Sequence, residues 1–177
     1  MIHLLNNRLA DTFVKNSVLK GNQFACLPRG STFEPLRILQ SIMEDAKEQK
    51  QEIWMLFQDL SKAYDRVNIF MLKKAMQRLK LPIAFIDLIE NIFIERKNRV
   101  FTEVGLTDPY DMLVGIDQGE VISPLLWCIY YDPLLCEIKQ QELGYNIVHQ
   151  YRPNIYNRHA DYNCITVGDL TFMDDTT

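Results

Sequence analysis

Five consecutive apolar residues, Ile53-Trp54-Met55-Leu56-Phe57, stand between polar segments and run directly into Gln58 and Asp59. An unbroken run of aromatic and branched side chains of this length predicts a strand over 52–59 that is buried rather than half solvated. Such a strand needs partners and covering layers, so the rest of the chain has to supply a sheet and the helices that pack on it. It also ends on a carboxylate, which is costly to bury unless a cation, a metal or water meets it. Taken alone, Asp59 is explained as well by an ion pair with Lys62 or Arg66 as by a metal.

The flanking periodicities are helical. Leu4, Leu5, Leu9, Phe13, Val14 and Val18 predict a helix over 1–20, ended by Gly21, and residues 21–32 carry loop-forming Gly, Asn and Pro. Thr32 is placed to cap a second helix, with Glu34 and Pro35 in its first turn and Phe33, Leu36, Leu39, Ile42, Met43 and Ala46 facing inward. Ile69, Leu72, Ala75, Met76 and Leu79 mark an amphipathic helix over 68–80, stopped by Pro82. Phe85, Leu88, Ile89, Ile92 and Phe93 mark another over about 83–96. Residues 99–104 and 112–114 read as a hairpin broken at 105–109. Residues 115–119 read as a loop, and 120–141 as a long helix kinked near Pro133. Short strands follow over 144–171. The order gives an α+β fold with a largely antiparallel sheet.

Several classes drop out. No apolar run is long enough for a membrane span, since the richest, 123–138, carries Asp132, Pro133 and Glu137. The first residues have neither a basic start nor an apolar core, so they are not read as a signal peptide. Cys26, Cys128, Cys136 and Cys164 lack the spacing of a zinc site or a disulfide framework and are read as reduced, buried thiols of an intracellular protein, nuclear or cytoplasmic. His3, His149 and His159 have no partners at ligand spacing. The net charge of −4 argues against a nucleic-acid partner, but it is unevenly distributed. Residues 1–33 hold four bases against one acid, and residues 73–99 seven against three, while residues 103–142 hold eight acids against one base. Solvated helix faces explain either basic segment alone.

Three segments carry the chemistry. The first is Phe57-Gln58-Asp59-Leu60-Ser61-Lys62-Ala63-Tyr64-Asp65-Arg66-Val67. The second is Gly115-Ile116-Asp117-Gln118-Gly119-Glu120-Val121-Ile122-Ser123-Pro124-Leu125-Leu126, and the third is Phe172-Met173-Asp174-Asp175. Thirteen aspartates in this chain yield on the order of one Asp-Asp pair by chance, so the third segment alone reads as a polar turn. Following an apolar strand, however, its carboxylates could join Asp59 in an oxygen-rich site suited to Mg²⁺. In this order the segments resemble the palm motifs of reverse transcriptases of non-long-terminal-repeat, LINE-like retroelements. The first resembles D-x-x-K-A-[FY]-D-x-V, the second G-[VI]-x-Q-G-x-x-x-S-P-L-L and the third the aromatic-x-Asp-Asp box. Asn22-Gln23-Phe24-Ala25 with Gly30-Ser31-Thr32 resembles an upstream Gln-x-Gly-Phe…Gly-Arg-Ser-Thr segment, with Ala25 and Cys26 standing where that family has Gly-Phe.

The resemblance implies a partial reverse transcriptase domain over 1–177: a polymerase-like palm (about 51–79 and 113–177) with an antiparallel sheet flanked by helices, and partial helical fingers (about 1–50 and 80–112). It implies two Mg²⁺ ions, with Mn²⁺ as a substitute, held by Asp59 and Asp174 with Asp175 in support and the Leu60 carbonyl completing one shell. Tyr64 is implied as a steric gate that admits dNTPs and excludes the ribose 2′-hydroxyl. Gln118 and Gly119 would lie under the nascent base pair, and Ser123 and Pro124 would begin a helix supporting the template. Lys62 is implied at the triphosphate and Arg29 at the template–primer backbone. The implied partners are an RNA template, a DNA primer and dNTPs, with no membrane. The expectation includes an absent thumb, an incomplete fingers segment and an unfinished catalytic hairpin, and hence a fragment inactive alone. A non-catalytic nucleic-acid-binding or structural remnant is the alternative. A small-substrate phosphotransferase fits less well, because it has no duplex for the 118–124 segment to support.

Overall fold

In the computed structural model, which describes residues 2–27, 30–150 and 162–176, helices carry the core and strands pair two by two at its edges. The order is α1 (Ile2–Asn16), α2 (Phe33–Gln49), α3 (Ile69–Arg78), α4 (Ile83–Phe93), β1 (Arg96–Asn98), β2 (Phe101–Thr102), β3 (Gly105–Leu106), β4 (Tyr110–Met112), α5 (Ser123–Gln140), β5 (Tyr145–Gln150), β6 (Tyr162–Val167), β7 (Thr171–Phe172) and β8 (Asp175–Thr176). No helix among the described residues is long and apolar enough to cross a membrane.

The α5 helix is apolar on nearly every side and is accordingly surrounded. Leu125, Leu126, Trp127, Ile129 and Leu135 are buried along it. Leu72 and Met76 of α3 and Ile89 and Phe93 of α4 join Leu126 and Ile129 in one cluster with Phe13 of α1. Burying each of these large side chains contributes about 1.5–3 kcal/mol, so the α3–α4–α5 packing is the main cohesive contact. The α3 helix forms where the sequence places it because Asn68 caps it, its side chain accepting the Met71 N–H at 3.1 Å. Pro124 stands in the first turn of α5, where its missing N–H costs nothing.

Two carboxylates among the described residues, Asp132 and Asp169, are shielded from water, and the first ties the core together. Asp132 of α5, 1% exposed, accepts the backbone N–H groups of Lys20 at 2.9 Å and Gly21 at 3.0 Å through Oδ1. Its Oδ2 pairs with the Arg78 guanidinium of α3. Gly21 is required at this approach, because a Cβ there would collide with that of Leu135. Residues 22–24 leave this anchor and run alongside β7 as a parallel partner: Thr171 N–H donates to the Asn22 carbonyl (3.1 Å) and Phe24 N–H to the Thr171 carbonyl (2.9 Å).

Several expectations are corrected. The first helix stops at Asn16, before Gly21, because Ser17 already takes a positive φ of 46°. Thr32 makes no side-chain cap bond, and α2 buries Ile42 and Ala46 while Phe33, Leu36 and Met43 stay exposed. Residues 52–59 are not a buried strand. Apart from a bridge at Gln58 they have no regular pairing, and Trp54 is 91% exposed. The α4 helix ends at Phe93, since 96–98 are taken into β1. The hairpin pairs β1 with β4 and nests β2–β3 inside, turning at 103–104. The last helix begins at Ser123, after turns over 117–122, and continues across Pro133. The mixture of helices with antiparallel strands is the α+β class expected, but among the described residues no sheet exceeds two strands, and the pairs stand as separate ribbons: β1–β4, β2–β3, β5–β6 and β7–β8. Asp175–Thr176 already pairs back on β7 and closes the hairpin expected to be unfinished, and Cys164 is exposed rather than buried.

Replacing Asp132 by Ala removes the acceptor of two part-buried N–H groups and the partner of Arg78, which at two-fifths exposed can turn to water, and should lower the unfolding free energy by about 1–3 kcal/mol. Asp132→Asn, which keeps one acceptor oxygen, should cost less. Urea unfolding with an unchanged m-value reads both, and equal midpoints for Asp132→Ala and the parent chain would show that Asp132 carries no such load.

Candidate functional site

The second motif docks onto the first through its backbone. Gly115 N–H donates to the Val67 carbonyl at 2.8 Å and Ile116 N–H to the Tyr64 carbonyl at 2.9 Å. Gly115 has a φ of +93°, and a Cβ on it would lie 2.9 Å from the Asp65 carbonyl oxygen, so both conformation and space demand glycine. From there the chain passes through 117–122 into α5. Arg96, at the start of β1, holds this loop from behind. Its guanidinium, one-tenth exposed, pairs with Asp117, donates to the Gly115 carbonyl at 3.4 Å and lies over the Phe93 ring.

The third motif arrives on β7–β8, whose register pairs Phe172 with Asp175 and leaves Met173 and Asp174 as the two-residue turn. Met173 has a φ of +59°. A positive φ at the first central residue of such a turn favours glycine, and a side chain there costs roughly 1–2 kcal/mol. The turn is held from outside. Trp127 Nε1–H of α5 donates to the Met173 carbonyl at 2.9 Å, and the Gln23 side chain bonds both the N–H and the carbonyl of Met173.

These approaches enclose a cavity of about 670 Å³. Lys62 and Tyr64 line it from the first motif, Gln118, Gly119 and Pro124 from the second, and Asp174 from the third. Six residues singled out from the sequence, more than 100 positions apart at the extremes, thus share one space. Asp65 and Glu120 add further carboxylates to its wall. Others stand elsewhere. Asp59 is exposed at the end of the 52–58 segment, and neither it nor Leu60 is on the cavity wall. Ser123 is fully buried with no partner for its hydroxyl among the described residues. Arg29 and the Asp175 side chain lie outside the described residues. Among the described residues no three His, Cys, Asp or Glu side chains form a ready-made metal cluster.

Tyr64 is stacked on Trp127, with ring centroids 5.9 Å apart. Burial, reinforced by the nearby Cys26, Cys128 and Asp174, pushes its phenol well above the ordinary tyrosine range. It is therefore a neutral, wedged ring with a retained O–H. Cys128 is held protonated by its hydrogen bond to Cys26 and by burial, which makes it an inert thiol packed within α5. Two of the groups that shape the site, Arg96 and Trp127, had no motif to announce them. Arg96 belongs to a basic stretch that reads as a solvated face, and Trp127 to an apolar helix that reads as core.

The sequence over residues 2–177 matches the family described as Reverse transcriptase (RNA-dependent DNA polymerase), and the chain belongs to that family. Among relatives, it is 27% identical over 133 residues to the probable RNA-directed DNA polymerase from transposon BS of Drosophila melanogaster, covering 75% of this chain and 15% of that protein. It is 27% identical over 129 residues to the probable RNA-directed DNA polymerase from transposon X-element of the same fly, covering 72% of this chain and 14% of the relative. It is 28% identical over 133 residues to the retrovirus-related Pol polyprotein from type-1 retrotransposable element R2 of Bradysia coprophila, covering 73% and 15%. The chain therefore spans about one-seventh of the length of the curated relatives it matches.

Arg96 is more deeply buried than Asp117, which is two-fifths exposed. Removing the carboxylate strands a buried cation, whereas removing the cation leaves a carboxylate that water can reach. Asp117→Ala should therefore destabilise the fold by about 2–3 kcal/mol, and Arg96→Met by distinctly less. Denaturant midpoints for the two variants decide this, and the reverse order would refute the latch.

Proposed function

We propose that this chain contributes the palm and part of the fingers of an RNA-directed DNA polymerase that extends a DNA primer on an RNA template, with palm over about 51–79 and 113–177 and fingers over about 1–50 and 80–112. The observation that carries this reading is the convergence of Lys62, Tyr64, Gln118, Gly119, Pro124 and Asp174 on one cavity. A nucleotide needs such a mixture: a cation for phosphate, an aromatic ring and a glycine for close contact with sugar and base, and a carboxylate for metal.

The donor set fits Mg²⁺. Every candidate ligand is a carboxylate or carbonyl oxygen, and Mg²⁺ is held by one or two carboxylates completed by water and substrate phosphates rather than by an all-protein cage. Asp59, Asp174 and Asp175 would hold two such ions, with the Leu60 carbonyl in one shell. Held by these residues, such ions would supply the positive charge that lowers the pKa of a 3′-hydroxyl and offsets the charge of a leaving pyrophosphate. The protein's own residues bind and orient. Lys62, exposed at the cavity edge, offers a charge to phosphate. Tyr64, fixed against Trp127, blocks the space that a 2′-hydroxyl would need. Gly119, with a φ of +100° and no atoms crowding its Cβ position, gives the backbone room to approach a nucleotide. Ser123 and Pro124 open the helix that would support the template, and Arg29 is assigned to the nucleic-acid backbone.

Mg²⁺-dependent extension of a DNA primer on an RNA template tests the reading. Asp59→Asn and Asp174→Asn should each reduce extension by at least about 100-fold with little change in melting temperature, because an amide cannot balance two dications beside a triphosphate. Extension retained in either variant refutes the metal assignment. Template–primer binding without metal-dependent extension is expected both of a palm fragment inactive alone and of the non-catalytic alternative; Mn²⁺ binding that Asp174→Asn abolishes favours the former, and its absence the latter.

Tyr64→Ala should shift selection toward ribonucleotides, read as the ratio of rNTP to dNTP incorporation. An unchanged ratio removes the gate.

A further inference from the structure

The side chain of Gln23 does to Met173 what a neighbouring strand would do. Gln23 Nε2–H donates to the Met173 carbonyl at 2.9 Å, and Gln23 Oε1 accepts the Met173 N–H at 2.9 Å. The same Oε1 also accepts the Ala25 N–H at 3.2 Å, which fixes the orientation of the amide. These bonds continue the parallel ladder of residues 22–24 along β7, replacing backbone by side chain where the hairpin turns away. The carbonyl of Met173 receives a second donor from Trp127 Nε1–H. All this polar effort falls on one residue, and that residue has a positive φ in the turn that carries Asp174. A strained turn residue keeps its conformation only when its surroundings over-determine it.

We infer that Gln23 is a positioning residue: its amide clamps the Met173 peptide and thereby aims the Asp174 carboxylate into the cavity. The inference rests on the proposed role of Asp174 as a metal ligand, and it adds a residue 150 positions upstream to that site. Glutamine suits the role because a single planar amide presents one donor and one acceptor side by side. Glutamate at neutral pH presents only acceptors, one of them facing the Met173 carbonyl, and methionine presents neither function at similar length. A backbone partner in the same place could not be tuned this way, since substitution leaves the main-chain N–H and C=O unchanged.

Two measurements on the 177-residue chain test the clamp: Mn²⁺ affinity by titration calorimetry, and hydrogen exchange at the Met173 amide. Gln23→Met should weaken Mn²⁺ binding by about tenfold, as expected when the partner orienting a metal-binding carboxylate is lost. It should also speed exchange at Met173 relative to other protected amides. Asn68→Ala, which removes the cap of α3, is the control for general loosening: it lowers stability and should leave Mn²⁺ affinity unchanged. Should Gln23→Met fail to fold, Gln23→Glu is read instead, with the same directions expected. Wild-type Mn²⁺ affinity in a folded Gln23 variant, equal weakening in Asn68→Ala, or unaltered Met173 exchange each overturns the inference. If the parent chain binds no Mn²⁺, the metal assignment of Asp174 fails. The exchange measurement still decides whether Gln23 holds the turn.

Discussion

Asp132 accepts two backbone N–H groups and pairs with Arg78 from a position with almost no contact with water. Much of the surrounding fold depends on its placement. By holding Lys20 and Gly21 against α5, it sets the start of the 22–24 segment. That segment pairs with β7, and Gln23 at its centre reaches the turn carrying Asp174. The ion pair simultaneously ties α3 to α5, whose packing supplies most of the core. A buried carboxylate is a risky way to gain stability, because desolvating a charge costs several kcal/mol before its partners offset it. Its value here is directional. Apolar packing would tolerate a slide of the 20–24 segment along α5, whereas two N–H groups aimed at one oxygen do not.

The cavity depends on similar precision elsewhere. Gly115 brings the second motif close enough to bond the Tyr64–Val67 turn, and Arg96 holds the same loop from the opposite side. Trp127 connects the two halves: it stacks on Tyr64 and donates to Met173. One residue in the first half of α5 therefore touches both the first and the third motif.

The apolar pattern was legible where it served the helical core and misleading where it did not. Leu72, Ala75 and Met76 are buried on the face their spacing assigned. Trp54, Leu56 and Phe57 are exposed despite a run that reads as a buried strand, and so are Phe33, Leu36 and Met43 on α2. Apolar spacing records a capacity for burial. Realising it needs a second surface, and among the described residues strands pair only two by two. The hairpin likewise keeps its place but shifts its pairing, because register depends on which strand ends meet across the turn.

The sequence by itself determined the family, the order of the helices and a set of candidate site residues, because motif spacing and helical periodicity are local properties carried by neighbouring side chains. Only the tertiary structure decided which of those residues share a space. Lys62, Tyr64, Gln118, Gly119, Pro124 and Asp174 line one cavity, and Asp59 stands outside its wall. It also decided the supports, Gln23, Arg96, Trp127 and Asp132. Their roles come from single hydrogen bonds and ion pairs between segments 21 to 150 residues apart. Such bonds leave no periodic trace in a sequence, since any polar residue anywhere along the chain could have met the same partner.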